Sequence, residues 1–141
     1  MPAPRTHFDE SRWPVVIVTP PPTPLDEAGL EAHCKQAFGY FERGQSFAWV
    51  FDVRKAAQLT ASQRRIIAEA TDASRMRHPD LSCAAAVILS SAVQRGVVKA
   101  INWMTRQPVP TEVFATVEQG VAWASAYLAT ASAMPTRRAA P

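Results

Sequence analysis

The residues best suited to chemistry follow a short apolar segment at residues 47–51. Asp52 comes directly after this segment, Arg54 and Lys55 follow within a loop, and Thr60 opens a helical segment. A carboxylate, two cations and a hydroxyl at the junction of a strand and a helix are a typical setting for anion binding or acid–base catalysis. The sequence therefore makes this junction the first candidate site.

Catalysis there would need a nucleophile with a base, or a pair of carboxylates. His7 lies near the N-terminus, His33 lies on an apolar helix stripe, and His78 lies at a helix end on the opposite edge. No Gly-rich phosphate loop is present, since Gly96 and Gly120 lie inside helices, where glycine allows close packing. No Cys/His spacing is typical of a metal site. We therefore predict no catalytic residue, no cofactor and no metal, and we expect that the protein is not an enzyme.

Strand–helix units repeat along the chain and position these residues. Apolar β-branched runs predict strands at residues 15–19, 47–51, 83–89 and 113–116. Capping residues predict helix starts at Thr23-Pro24, Thr60, Ser90-Ser91 and Thr116. The sequence thus predicts an α/β fold of four βα units, with a mainly parallel central sheet flanked by helices.

Apolar residues at helical spacing predict which side of each helix faces the sheet. The expected inward residues are Ile66, Ile67, Ala70, Ala73 and Met76 in the second helix, and Ala92, Val93, Gly96, Val97, Ala100, Ile101 and Met104 in the third.

The loops that follow parallel strands meet at one edge of a sheet, where ligands of α/β proteins tend to bind. We therefore expect a binding rim there. Its predicted members are Asp52, Arg54, Lys55, Ser90, Ser91 and Arg95.

The composition is that of one globular domain. The chain has 141 residues, of which 48% are hydrophobic and 19% charged. We predict a single domain over residues 11–130, with flexible tails at residues 1–10 and 131–141. The net charge of +3 comes from scattered cations, which argues against a nucleic-acid partner. No apolar run is long enough to span a membrane, and Cys34 and Cys83 suit a reducing compartment, so we expect a cytoplasmic protein.

The order of the four βα units resembles the STAS / SpoIIAA-like fold of anti-sigma-factor antagonists, and in particular a bacterial branch of it. The resemblance spans about residues 12–128. The motifs that carry it are Arg12-Trp13-Pro14-Val15-Val16, Val50-Phe51-Asp52-Val53-Arg54, Thr60-Ala61-Ser62-Gln63-Arg64-Arg65, Ser90-Ser91-Ala92-Val93-Gln94-Arg95-Gly96, Ala100-Ile101-Asn102-Trp103, Val113-Phe114-Ala115-Thr116 and Ala122-Trp123-Ala124.

This resemblance implies a protein–protein interaction or regulatory module of bacterial signalling. In that family an Asp-Ser-Ser-Gly motif opens a helix, and a partner kinase phosphorylates its second serine. Ser62 falls at that position, with Thr60 at the position of the Asp, but three of the four residues differ here. The alternative is that Thr60 only caps the helix and Ser62 only occupies its first turn.

Two kinds of binding surface remain open. Trp103, Lys99, Arg106 and Val98 form a candidate patch for a protein partner or for self-association, because aromatic and Arg residues are typical interface anchors. Trp103 could instead pack on a neighbouring helix or on the C-terminal tail. The alternative function is binding of a small apolar, lipid-like ligand, as is thought for some relatives. The Ala-rich residues 83–86 leave room for a pocket, although small residues also permit tight packing.

Overall fold

A computed structural model describes residues 3–104 and 109–133, without the side chains of residues 102–104, 132 and 133. The strands are β1 (His7–Arg12), β2 (Val15–Thr19), β3 (Phe47–Asp52), β4 (Cys83–Ile88) and β5 (Thr111–Phe114). The helices are α1 (Glu27–Phe41), α2 (Ala61–Arg77), α3 (Ala92–Met104) and α4 (Val117–Ala133). Within this part of the chain, none of the helices combines the length and the apolarity that crossing a membrane requires.

The strands form one five-stranded sheet in the order β1-β2-β3-β4-β5. Strands β2 to β5 are parallel, with Ile17 opposite Val50 and Trp49 opposite Ala85. Their carboxyl ends therefore lie at the same edge of the sheet. The predicted fold class, α/β with a mainly parallel sheet flanked by helices, is confirmed.

Strand β1 is the element that the sequence analysis missed. His7 pairs with Thr19 and Phe8 with Val18 in antiparallel register, so the predicted flexible tail over residues 1–10 is wrong from His7 onward. The segment HFDESR lacks an apolar alternation, and its charged residues are typical of an edge strand. At the other end, α4 continues to Ala133, past the predicted boundary at residue 130, and residues 134–141 lie outside the described residues.

Three of the four predicted helix starts are confirmed. The hydroxyl oxygens of Thr60, Ser91 and Thr116 each accept a hydrogen bond from the backbone N–H three residues further on. The first predicted start is wrong, because Asp26 and not Thr23 caps α1. The Asp26 carboxylate accepts the N–H of Gly29 at 2.7 Å.

Both faces of the sheet are covered. Helices α1 and α2 pack on the face that carries the aromatic side chains of β3, where Trp49 meets Tyr40 of α1 edge-on with ring centroids 5.4 Å apart. Helix α4 packs on the opposite face, where Ala124 and Leu128 cover the small residues of β4. A Cβ atom on Gly120 would lie 2.8 Å from Cδ1 of Ile88, so the close packing expected at this glycine is present.

The predicted inward side of α2 is correct for Ile67 and Ala70, which are half-buried and line a small gap with Trp49, but it is wrong for Ile66 and Met76. Ile66 is 46% exposed and Met76 is 82% exposed, whereas Ser74 is only 2% exposed. A serine can occupy this buried position because its hydroxyl donates to the backbone carbonyl of Ala70 at 2.9 Å, which leaves no polar group unsatisfied. The apolar spacing alone gave no sign of this satisfied serine.

The predicted inward side of α3 is also wrong. Val93, Val97 and Ile101 are 76%, 54% and 51% exposed, while the neighbouring Val98 is half-buried. Helix α3 packs against the edge strand β5, and the guanidinium of Arg95 donates to the carbonyls at the end of β4. Arg95 and Val98 are therefore half-buried residues of α3, while Val93, Val97 and Ile101 face water. Gly96 consequently faces open space rather than a packed neighbour.

Candidate functional site

At the junction after β3, Asp52 and Arg54 form an ion pair with each other. Arg54 donates from Nε to Oδ1 of Asp52 at 2.8 Å and from Nη2 to Oδ2 at 2.9 Å. These side-chain hydrogen bonds lower the pKa of the Asp52 carboxyl and raise the pKa of the Arg54 guanidinium. Both carboxylate oxygens of Asp52 are therefore already bonded to Arg54.

The loops of the predicted rim do meet. The N–H of Val53 donates to the carbonyl of Ile88 at 3.3 Å, and the N–H of Ala57 donates to the carbonyl of Pro21 at 3.1 Å. The carboxyl ends of β2, β3 and β4 are thereby joined through their loops. This places the predicted rim residues at one edge of the sheet.

Several rim residues are used by the fold itself. Nη1 of Arg95 donates to the carbonyls of Leu89 at 2.7 Å and Ser90 at 2.9 Å. The Ser91 hydroxyl caps α3. Lys55 is exposed, as is the Ser90 side chain. Arg54 and Arg95 thus stabilise the loops at this edge of the sheet.

Thr60 has the capping role that was the alternative to phosphorylation. Its hydroxyl accepts the N–H of Gln63 at 3.1 Å, and the Gln63 side chain in turn accepts the N–H of Thr60 at 3.1 Å. Ser62 is exposed in the first turn of α2. Its phosphorylation stays a prediction.

The described residues of the predicted partner patch differ in exposure. Lys99 is exposed, but Val98, expected on the outer side, is half-buried and lines a pocket. The side chain of Trp103 and the whole of Arg106 lie outside the described residues.

A pocket of about 570 Å³ lies between α2 and α3, near the carboxyl ends of the strands. Ile67 of α2 and Val98 of α3 form its sides. Val87 and Leu89, at the end of β4, also line it, and Arg54 and Arg64 are its cationic members. The volume falls within the ~300–1,000 Å³ typical of small-molecule sites. We call this feature the α2–α3 pocket.

His33 also lines the α2–α3 pocket, with 8% of its surface exposed. Its Nδ1 lies 2.9 Å from the Thr6 hydroxyl, and burial lowers the pKa of its imidazole. His33 is therefore a packed, hydrogen-bonded histidine on the apolar side of α1. Across residues 3–104 and 109–133, no group of three His, Cys, Asp or Glu side chains is placed to hold a metal ion.

Two of the pocket's polar members, Arg64 and Gln94, were not among the predicted site residues. The room for a ligand was predicted above the Ala-rich residues 83–86, but Ala84 and Ala86 are fully buried on the side of α4. The pocket lies further along, at Val87 and Leu89, because α3 stands apart from α2 there. No local pattern in the sequence encodes that separation.

No family model matches the chain, and neither does any curated protein. Among solved structures, the chain is similar to an uncharacterized protein of the DUF3478 family with a SpoIIAA-like fold, from Shewanella loihica PV-4. The two are 11% identical, the TM-score is 0.60, and the match covers 86% of this chain and 94% of the other. This likeness agrees with the parallel sheet and helix order described above. The chain therefore has a SpoIIAA-like fold.

Proposed function

We propose that this protein is a non-enzymatic protein-interaction module of bacterial signalling, and that α3 is its docking surface. The observation that carries the proposal is the α3 stripe, defined as Val93, Val97 and Ile101. These three apolar side chains are each more than half exposed on one side of the helix. The SpoIIAA-like fold supports a regulatory role, and the free thiols of Cys34 and Cys83 are consistent with a reducing, cytoplasmic setting.

Helix α3 is turned so that the apolar side chains of its stripe face water. Val93 and Val97 lie one helical turn apart and are exposed, although burying a valine side chain stabilises by roughly 1.5–3 kcal/mol. Contiguous apolar surface of this kind marks interaction sites in soluble proteins. An amphipathic segment that packs along the stripe would bury both residues.

The charges on α3 favour one kind of occupant. The helix has Arg95 and Lys99 but no carboxylate, and Lys99 is exposed. A second copy of the chain would bring the same cations to the interface, which is unfavourable. We therefore propose an acidic, amphipathic segment of a partner protein, which would place its apolar side on the stripe and its carboxylates near Lys99.

The test compares Val97→Glu with a matched control, Met76→Glu. The control introduces the same carboxylate at an exposed apolar residue of α2. A partner captured by the wild-type protein and by Met76→Glu, and lost with Val97→Glu, is the expected result. Cross-linking should then map the contact to an acidic segment of that partner. Equal capture by both variants would overturn the assignment of α3, and self-association in sedimentation that Val97→Glu abolishes would replace the partner by a second copy.

The α2–α3 pocket favours a second candidate function, binding of a small apolar ligand. Its volume and its aliphatic members, Ile67, Val87 and Val98, support this proposal. Native mass spectrometry of freshly purified protein should detect a co-purified ligand. The variant Val98→Phe, which fills the pocket, should lose that ligand, and retention by the variant would reject the pocket as the site.

A further inference from the structure

We propose that the α2–α3 pocket binds an amphiphile with an aliphatic body and an anionic head, and that Arg64 recognises the head. This inference rests on the second proposed function and names its ligand class. The pocket joins an aliphatic interior to a rim that carries two guanidinium groups, those of Arg54 and Arg64. A purely apolar ligand would contact the aliphatic interior and leave the two guanidinium groups without a ligand partner.

The loop after β3, the first turns of α2 and helix α3 carry charged residues of one sign. Residues 53–68 and 89–104, which supply the loop after β3, the first turns of α2 and the whole of α3, contain six cationic residues and no carboxylate. The cationic residues are Arg54, Lys55, Arg64, Arg65, Arg95 and Lys99. Asp52 is the nearest carboxylate in the chain before this loop, and Arg54 already holds it. Positive potential at a cleft attracts anionic ligands.

Arg64 is the cation best placed to meet a head group. Its Nη1 donates to the carbonyl of Leu59 at 2.7 Å, which holds the guanidinium beside the loop that lines the pocket. Within the described ranges, no carboxylate lies within ion-pair distance of Arg64. A guanidinium has five N–H donors, so one bond to a carbonyl leaves others for a carboxylate or phosphate.

The other cations at this edge have partners or point elsewhere. The guanidinium of Arg54 is neutralised by Asp52, and Arg95 donates to the carbonyls of Leu89 and Ser90 without lining the pocket. Burial lowers the pKa of the His33 imidazole, which disfavours its charged form inside the pocket. The amide of Gln94 lies at the pocket as a further donor for the head group.

The aliphatic interior accounts for the other half of the ligand. Ile67, Val87, Leu89 and Val98 line the pocket together with the apolar residues of the loop after β3. A hydrocarbon chain among them would remove apolar surface from water, which favours binding. The head group would remain at the rim, where Arg64 and solvent both reach it.

The test uses three probes with the same hydrocarbon chain: dodecanoate, dodecyl phosphate and dodecanol. Calorimetry would measure their affinities for the wild-type protein, for Arg64→Gln and for Arg65→Gln. Arg65 is the matched control, since it is the next residue, is exposed and does not line the pocket. We expect Arg64→Gln to weaken binding of the anionic probes about tenfold and to leave dodecanol unchanged. Arg65→Gln should change none of the three affinities. Whichever of dodecanoate and dodecyl phosphate binds the wild-type protein more tightly identifies the head group as a carboxylate or a phosphate.

The variant Val98→Phe should weaken the binding of all three probes. Circular dichroism would check that this variant is folded. If dodecanol and dodecanoate bind equally well and Arg64→Gln has no selective effect, the inference about the head group is wrong and apolar-ligand binding stands. If none of the probes binds, or if Val98→Phe leaves them all bound, the pocket is not a ligand site. The proposal of apolar-ligand binding and the inference about the head group then both fail, and the proposed docking surface on α3 is unaffected.

Discussion

Arg54 contacts both carboxylate oxygens of Asp52, two residues before it in the chain, and closes the loop that follows β3. The side chain of Asp52 is 19% exposed and that of Arg54 is 39% exposed. Solvent reaches the Arg54 guanidinium and screens the pair, so its contribution to stability is small.

The free energy of unfolding should depend on pH through the ion pair of Asp52 and Arg54. The pKa of Asp52 is lowered in the folded state, chiefly by its hydrogen bonds with Arg54. Its contribution is therefore present above the pKa of an unfolded aspartate, ~3.9, and is lost as the pH falls through the lowered pKa. Urea unfolding should find the wild-type protein more stable than Asp52→Asn at pH 6, with a smaller difference at pH 3. A difference that stays constant over this range would contradict the ion pair.

Gly120 should resist substitution. An alanine Cβ there would lie 2.8 Å from Cδ1 of Ile88 and 3.2 Å from Cγ1 of Val50. We expect Gly120→Ala to lower the free energy of unfolding by roughly 1–3 kcal/mol through overpacking. Gly96→Ala is the matched control, since that glycine is also helical but its Cβ would meet no atom within 4 Å. It should raise the free energy of unfolding by up to ~1 kcal/mol, and two equal losses would show that α4 does not pack as described.

The start of α2 should depend on Thr60 and not on Ser62. Thr60→Ala removes the acceptor of the Gln63 N–H, so we expect a loss of about 1 kcal/mol in the free energy of unfolding. Thr60→Ser keeps the hydroxyl and should lose little. Ser62→Ala should stay within ~0.5 kcal/mol of the wild-type protein, because Ser62 is exposed. A large loss at Ser62 would reveal a structural role that the capping geometry does not explain.

Cys83 should be unreactive in the folded protein. It is 3% exposed, and burial raises the pKa of its thiol to about 12. At pH 8 only about 10⁻⁴ of the thiol would be the reactive thiolate. Alkylation followed by mass spectrometry should find Cys83 unmodified until urea unfolds the protein. Labelling of Cys83 at the rate of a free thiol would contradict its place in the core.

Local features of the sequence predicted the order of elements well. The apolar run at Val15–Thr19 is a strand with the predicted limits, and α2 begins after Thr60 as predicted. Both depend on interactions between near neighbours, namely side-chain crowding along a strand and a hydroxyl that reaches an N–H three residues away. The edge strand β1 has no such signal, because antiparallel pairing with β2 holds it in place.

The sequence by itself determined the four βα units, three of their four helix caps and hence the parallel sheet. Only the tertiary structure decided how α2 and α3 are rotated, that Ser74 is buried while Val93 is exposed, and that a pocket with Arg64 at its rim lies between them. Helix rotation is set by contacts between elements distant in the chain, such as the bonds from Arg95 to the end of β4. Apolar spacing within one helix cannot encode those contacts, because it describes the helix and not the surface on which it packs.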